Sequence, residues 1–218
     1  MIEVVPPAVP ALRFTLEEIV PLRAAAPALR MRVRLATGDG VRVRGVGLNV
    51  DVRIAAERRR YATGERDRLR ELFGAPGDWA SSLGPIPWLR AGVHVPPFDG
   101  ATTIDVPLPC GYDFDLVADK YATALDGGEI PVDVGFTGTL FYAGSDGRLQ
   151  TAKIPWDSEL SARVPLSVWR EAVAAAFGSE AWLRVGRDAL QQLQAFRSQG
   201  GFATWDQTFA SLLERAEA

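Results

Sequence analysis

Cys110, the only cysteine of the chain, stands in PLPCGYDFDLVADKY (107–121), where a proline-rich extended run gives way to helical spacing. A thiol near a helix N-terminus can be acidified by the helix dipole into a nucleophilic thiolate, so chemistry is sought here first. The same stretch argues against it. Asp113, Asp115 and Asp119 crowd that terminus with negative charge, which opposes a thiolate, and cysteine is among the most commonly buried side chains. A cysteine nucleophile also needs a base, and the only histidine is His94. In RAGVHVPP (90–97), Ala91, Val93 and Val95 share one face of a strand, which leaves His94 on the other with Arg90 and Gly92. A Cys110–His94 dyad across neighbouring strands is one reading. The preferred one makes Cys110 a packed plug beneath a capped helix and His94 a partly exposed strand residue.

Other chemistries find little material. Asp113 and Asp115, or the carboxylates of DGGE (126–129), could contribute to a hard-ion or carboxylate site, but neither stretch resembles a calcium loop. A helix cap at Asp113 and a turn at DGGE account for the same residues. One cysteine and one histidine cannot make a zinc site of the usual kind or ligate an iron–sulfur cluster. There is no phosphate loop, and AGSDG (143–147) only superficially resembles a nucleophile elbow. No catalytic residue is therefore assigned beyond the weak candidates Cys110, His94 and Asp113, and no metal or cofactor is expected.

The better candidates lie on surfaces. Leu29, Met31, Val33 and Leu35 alternate with Arg30, Arg32 and Arg34, the mark of a half-buried strand. After TGDG (37–40), Val41 and Val43 alternate with Arg42 and Arg44. The apolar phase then shifts to Val46, Leu48, Val50, Val52 and Ile54, with Gly45 the natural place for a β-bulge. A hairpin between these strands would set Val33 opposite Val43, Arg34 against Arg42 and Arg32 against Arg44. Like charges so placed repel unless carboxylates such as Glu17 or Asp51, or an acidic partner, relieve them. Arg30, Arg32, Arg34, Arg42 and Arg44, extended by Arg53 if it shares their face, thus form a candidate docking face for an acidic protein segment or another anion. No aromatics are interleaved with them, which disfavours nucleic acid. A second candidate partner surface is the stripe of Trp205, Phe209, Leu212 and Leu213 at helical spacing near the C-terminus.

The elements that must position these residues read as strands first and helices last. WLRAGVHVPPF, ATTIDVPLP and the pair 130–142 and 149–155 around AGSDG look like strands. Residues 63–73 form a short helix opened by Thr63 and closed by Gly74. Phe114, Val117, Ala118, Tyr121, Ala122 and Leu125 mark another. From 165 onward the chain is helical, and Thr204 with Gln207 matches a capping box. The expected fold is α+β: a mostly antiparallel sheet or β-sandwich with inserted helices over residues 11–160, then a C-terminal helical segment, 165–218, packed on it. A chain of 218 residues, 47% hydrophobic and 23% charged, can bury a full core, and a net charge of −3 draws it to neither nucleic acid nor an anionic membrane. The N-terminus lacks an export signal and no window has the apolar length of a spanning helix, so a reducing cytoplasm is the expected compartment.

The run VPLPCGYDFDLVADKYATALDGGEIPV, with FTGTLFY, LQTAKIPWD and the closing VWREAVAAAF, AWLRVGRDALQQLQAF and TW, resembles a family of uncharacterised proteins from high-GC bacteria associated with nickel–iron hydrogenase gene neighbourhoods. The resemblance covers nearly all of the chain from Phe14 onward. It implies a non-catalytic accessory role in assembling or stabilising such a hydrogenase, with its subunits as partners, and it supplies no catalytic residues. An enzyme using Cys110 with His94, or a small-ligand carrier, are the alternatives.

Overall fold

The structure, a computed structural model, describes residues 10–24, 26–38, 41–111, 117–178 and 185–217. The chain divides into two compact units, Met1–Ala181 and Trp182–Ala218. The first holds strands β1 (Arg13–Leu22), β2 (Ala28–Ala36) and β3 (Arg42–Ile54), followed by helices α1 (Thr63–Arg68), α2 (Arg70–Phe73) and α3 (Trp79–Ser82). Strands β4 (Ile86–Val95), β5 (Phe98–Asp99) and β6 (Ala101–Pro109) lead to helix α4 (Val117–Thr123). Strands β7 (Glu129–Ala143), β8 (Leu149–Ile154) and β9 (Glu159–Pro165) lead to helix α5 (Leu166–Phe177). The second unit holds α6 (Arg187–Gly200) and α7 (Trp205–Glu217).

All strand pairings described are antiparallel, and they make two sheets: β1-β2-β6, and β4-β3-β7-β8 with β5 on β3 and β9 on β7. The period-two pattern of β2 buries Leu29, Met31, Val33 and Leu35 completely. From the other sheet Val46, Leu48, Val50 and Val52 enter the same core. Phe14 of β1 stacks on Phe136 of β7 with ring centroids 4.0 Å apart, joining the sheets across the sandwich. Truncating any one of these buried leucines to alanine would cost about 2–5 kcal/mol. Helix α5 lies against β1 and β2 and buries Leu166, Trp169, Ala172 and Val173, so the first unit extends past residue 165 to include it.

The hairpin expected between β2 and β3 does not form. The two strands belong to different sheets, so Val33 does not pair with Val43, nor Arg34 with Arg42. Two strands that face each other across a core show the same alternation as two strands side by side, which is why the pattern did not separate these arrangements. Crossing between sheets places Arg30, Arg32 and Arg34 on one outer face and Arg42 and Arg44 on the other, and the like-charge stacking disappears. The bulge is present: the β3–β7 register slips between Val43 and Gly45, which carries a φ of 155°. Further along, β7 comes so close to β3 at Gly138 (φ 147°) that a Cβ there would stand 2.0 Å from the Gly47 carbonyl oxygen.

Candidate functional site

Cys110 directly follows β6, and its N–H donates to the Pro27 carbonyl at 3.0 Å. It is 5% exposed; burial first, and then the Asp119 carboxylate, push its thiol up to about 12. Asp119, itself buried on α4, accepts the Gly111 N–H at 2.9 Å and ties the chain after Cys110 to the helix. Asp113, with Asp115, lies outside the described residues. His94 is exposed on β4, opposite Gly47, and approaches Gly45. The Trp88 indole N–H, at the other end of β4, reaches the Pro109 carbonyl at 2.7 Å. His94 stands roughly 20 Å further along that strand at ~3.3 Å per residue. The structure therefore does not bring Cys110 and His94 together, and the thiol is the opposite of an activated nucleophile.

A buried polar cluster that sequence patterning missed joins α1 to the turn before β7. Arg59 and Glu65 pair at 2.7 Å with side chains 10% and 4% exposed. The Arg59 guanidinium also donates to the carbonyls of Glu129 at 2.8 Å and Gly127 at 2.7 Å. Glu65 Oε1 accepts the Asp126 N–H and Oε2 the Ala62 N–H, both at 2.9 Å. Burial alone would raise the Glu65 carboxyl, but those two N–H groups and the Arg59 guanidinium outweigh it and hold the group below the usual glutamate range. Arg68 donates to the Ala124 carbonyl at 2.9 Å and pairs with Asp126. The Tyr61 hydroxyl meets the Ala56 carbonyl and the Tyr121 hydroxyl, both at 2.7 Å, and burial followed by the Tyr121 bond raises its pKa. A carboxylate with both oxygens engaged is a poor general base. The cluster is a clamp that holds DGGE against α1. The available signal was Glu65 in the first turn of a helix, where it reaches back to Ala62 in place of a hydroxyl cap from Thr63.

The expected arginine face divides into paired and unpaired members. Arg30 binds Glu18 at 2.9 Å. Arg32 makes a fork to Asp105 at 2.8 and 3.1 Å and also meets Glu18 at 3.2 Å. That fork lowers the Asp105 pKa and raises that of Arg32. Arg42 meets Asp99 of β5 at 3.2 Å, while Asp51 takes Arg90 at 2.6 Å and Arg53 at 3.6 Å. Of the two carboxylates expected to relieve this face, Asp51 pairs with Arg90 and Arg53 and with none of the five arginines, and Glu18, not Glu17, forms the ion pairs with β2. Arg34, between Thr15 and Thr103, and Arg44, at the bulge, are exposed and have no ion pair among the described residues.

In the second unit Thr204 Oγ1 accepts the Gln207 N–H at 3.2 Å, and Gln207 Oε1 accepts the Thr204 N–H at 3.4 Å and the Ala203 N–H at 2.9 Å, so the capping box opens α7. Trp205 stacks near Phe209 at 6.0 Å under the Arg197 guanidinium at 5.0 Å. Phe209 is 37% and Leu213 66% exposed, and among the described residues of this unit no apolar side chain is buried. Two open hollows lie on the first unit, one of about 250 Å³ beside Phe73, Ile86 and Val117, and one of about 600 Å³ beside Leu22, Arg23 and Ala175. Among the described residues no group of three histidine, cysteine, aspartate or glutamate side chains could hold a metal ion, and no helix is long and apolar enough to cross a membrane.

Among solved structures, two of β-glucosidase from Kluyveromyces marxianus, one of them in complex with glucose, align with 71% of this chain and 15% of theirs. Identities are 11% and 12% and TM-scores 0.26 and 0.24, a likeness too slight to define a shared fold. No curated protein matches the chain significantly. Residues 9–218 match the profile of a family of unknown function, DUF6084, and the chain belongs to that family.

Proposed function

We propose that this protein is a non-catalytic accessory that binds another protein, with the apolar stripe of α7 as its main contact and either the unpaired Arg34 or the unpaired Arg44, which lie on opposite outer faces of the sandwich, as a secondary one. The observation that carries this reading is the open stripe: Leu213 and Phe209 remain exposed in a helical unit that buries no apolar side chain among its described residues. Aromatic and aliphatic side chains so placed gain most of their burial from a partner surface. The buried thiol of Cys110, held in its protonated form, and its distance from His94 support the non-catalytic part. The resemblance to proteins of nickel–iron hydrogenase neighbourhoods makes subunits of that enzyme the first partner to try. Assembly or stabilisation in the reducing cytoplasm is the proposed role, one that requires no metal ligands of its own.

The test is co-expression of the tagged full chain with hydrogenase subunits. Phe209→Asp with Leu213→Asp is expected to reduce co-purification by about tenfold or more. Arg34→Glu with Arg44→Glu should weaken it less and make it less sensitive to salt. Undiminished co-purification with both double variants would reject these surfaces.

A further inference from the structure

The edge of a sheet presents backbone N–H and C=O groups with no ladder partner, and folded proteins cover, charge or twist such rows away. In this sandwich most edge strands lie beside a second element: β1 beside β9, β6 beside β4, and β4 beside α4. β8 is bonded to β7, and among the described residues of this unit no other element makes an extensive contact with it.

The register fixes which of its groups point outward. Gly144 N–H donates to the Arg148 carbonyl at 2.8 Å, which makes these two a hydrogen-bonded pair. Antiparallel pairs alternate between bonded and non-bonded. Gln150 opposite Tyr142, Ala152 opposite Leu140 and Ile154 opposite Gly138 therefore bond to β7. The N–H and C=O groups of Leu149, Thr151 and Lys153 face away from the sheet. Their side chains occupy the solvent face, with Leu149 65% exposed, whereas Ile154 points into the core. Lys153 donates to the Thr139 hydroxyl at 3.3 Å and has no ion pair among the described residues. Trp156, in the kink between β8 and β9, is 89% exposed, the most open large apolar side chain among the described residues.

We propose that β8 is a strand-addition site that takes an extended segment of a partner protein carrying a carboxylate and an apolar side chain two pleats apart. The inference rests on the protein-binding reading above and assigns it a further surface and a partner chemistry. A strand added at ~4.8 Å from β8 would satisfy the outward groups of Leu149, Thr151 and Lys153. Its side chains on the solvent face would fall beside theirs, with the carboxylate against Lys153 and the apolar group against Leu149. Trp156 supplies the kind of anchor that dominates binding energies. A six-residue edge is short for the ~800 Å² per partner of a stable dimer, which favours an extended segment over a second copy of this chain.

The experiment titrates isotope-labelled full-length protein with a synthetic Val/Thr peptide holding Glu and Phe at that spacing, and with the same peptide holding Lys for Glu. Amide exchange at Leu149, Thr151 and Lys153 should slow by about tenfold, and the Glu peptide should bind more tightly. Thr151→Pro removes an outward N–H without breaking the β7 ladder and should weaken binding by about tenfold. Should that variant fail to fold, Lys153→Glu provides the second arm and should prefer the Lys peptide. Unprotected amides at these positions, equal affinity for folded Thr151→Pro, or an unchanged preference in Lys153→Glu each overturn the site. Protection confined to Arg44 or α7 overturns it too, while leaving the protein-binding reading standing. Protection that needs only more protein, and no peptide, overturns it in favour of a second copy.

Discussion

At the scale of the residue, the environment of Cys110 decides its chemistry. The sequence places it near a helix N-terminus, a position compatible with a reactive thiolate, but the strand leading to it carries it into the core beside Asp119. Both effects favour the neutral thiol. At pH 8 a group held at about 12 is almost wholly protonated. Iodoacetamide is therefore expected to alkylate the native protein far more slowly than the urea-unfolded chain, where an ordinary cysteine titrates near 8.5. Mass spectrometry of timed samples measures both rates. Fast native alkylation would place the thiol at the surface and reopen the enzyme reading. That the thiol is packed was legible from the surrounding aspartates and from residue type. Its distance from His94 was not, because only the Trp88–Pro109 contact shows which end of β4 meets β6.

Elements were legible from their periodicity, and their partners were not. The alternation in β2 and β3 identified each buried face and the slip at Gly45 located the bulge, but neither says which strand lies alongside. Of the carboxylates that neutralise the arginines, Glu18 comes from the preceding strand β1, but Asp99 and Asp105 come from β5 and β6, 57 and 73 residues from the arginines they serve. The Arg59–Glu65 clamp was illegible for a related reason: its partners are mainly backbone carbonyls, which accept from Arg59, and backbone N–H groups, which donate to Glu65, and neither carries a residue signature. It nonetheless fixes α1 to the turn before β7. Breaking a buried pair by removing one partner costs about 3–5 kcal/mol, so Glu65→Ala should lose that much by urea unfolding at pH 7. The Glu65 pKa is lower folded than unfolded. Its contribution is thus complete above the unfolded value of about 4.3 and is lost as pH falls through the folded value. The gap between wild type and Glu65→Ala should narrow in acid, and a gap that stays constant from pH 7 down to full protonation would show that the carboxylate charge contributes nothing.

For the whole molecule, the two units differ in how they meet the cost of ordering a chain. The sandwich closes a continuous core from both sheets and α5. The unit Trp182–Ala218 has helices of 14 and 13 residues, near the length at which isolated helices are marginal in water. Four arginines balance four carboxylates there, so charge neither repels nor attracts a neighbour strongly. What remains is the apolar stripe of Trp205, Phe209, Leu212 and Leu213, and a stripe stabilises a helix only when another surface covers it. A synthetic peptide of residues 182–218 should therefore show weak helical circular dichroism by itself. Its helicity should rise when the partner that binds α7 is added, with the negative heat-capacity change of apolar burial in calorimetry. A peptide that is monomeric and fully helical alone would show that this unit needs no cover, and Phe209 and Leu213 would then be ordinary surface residues, with no claim to a docking role.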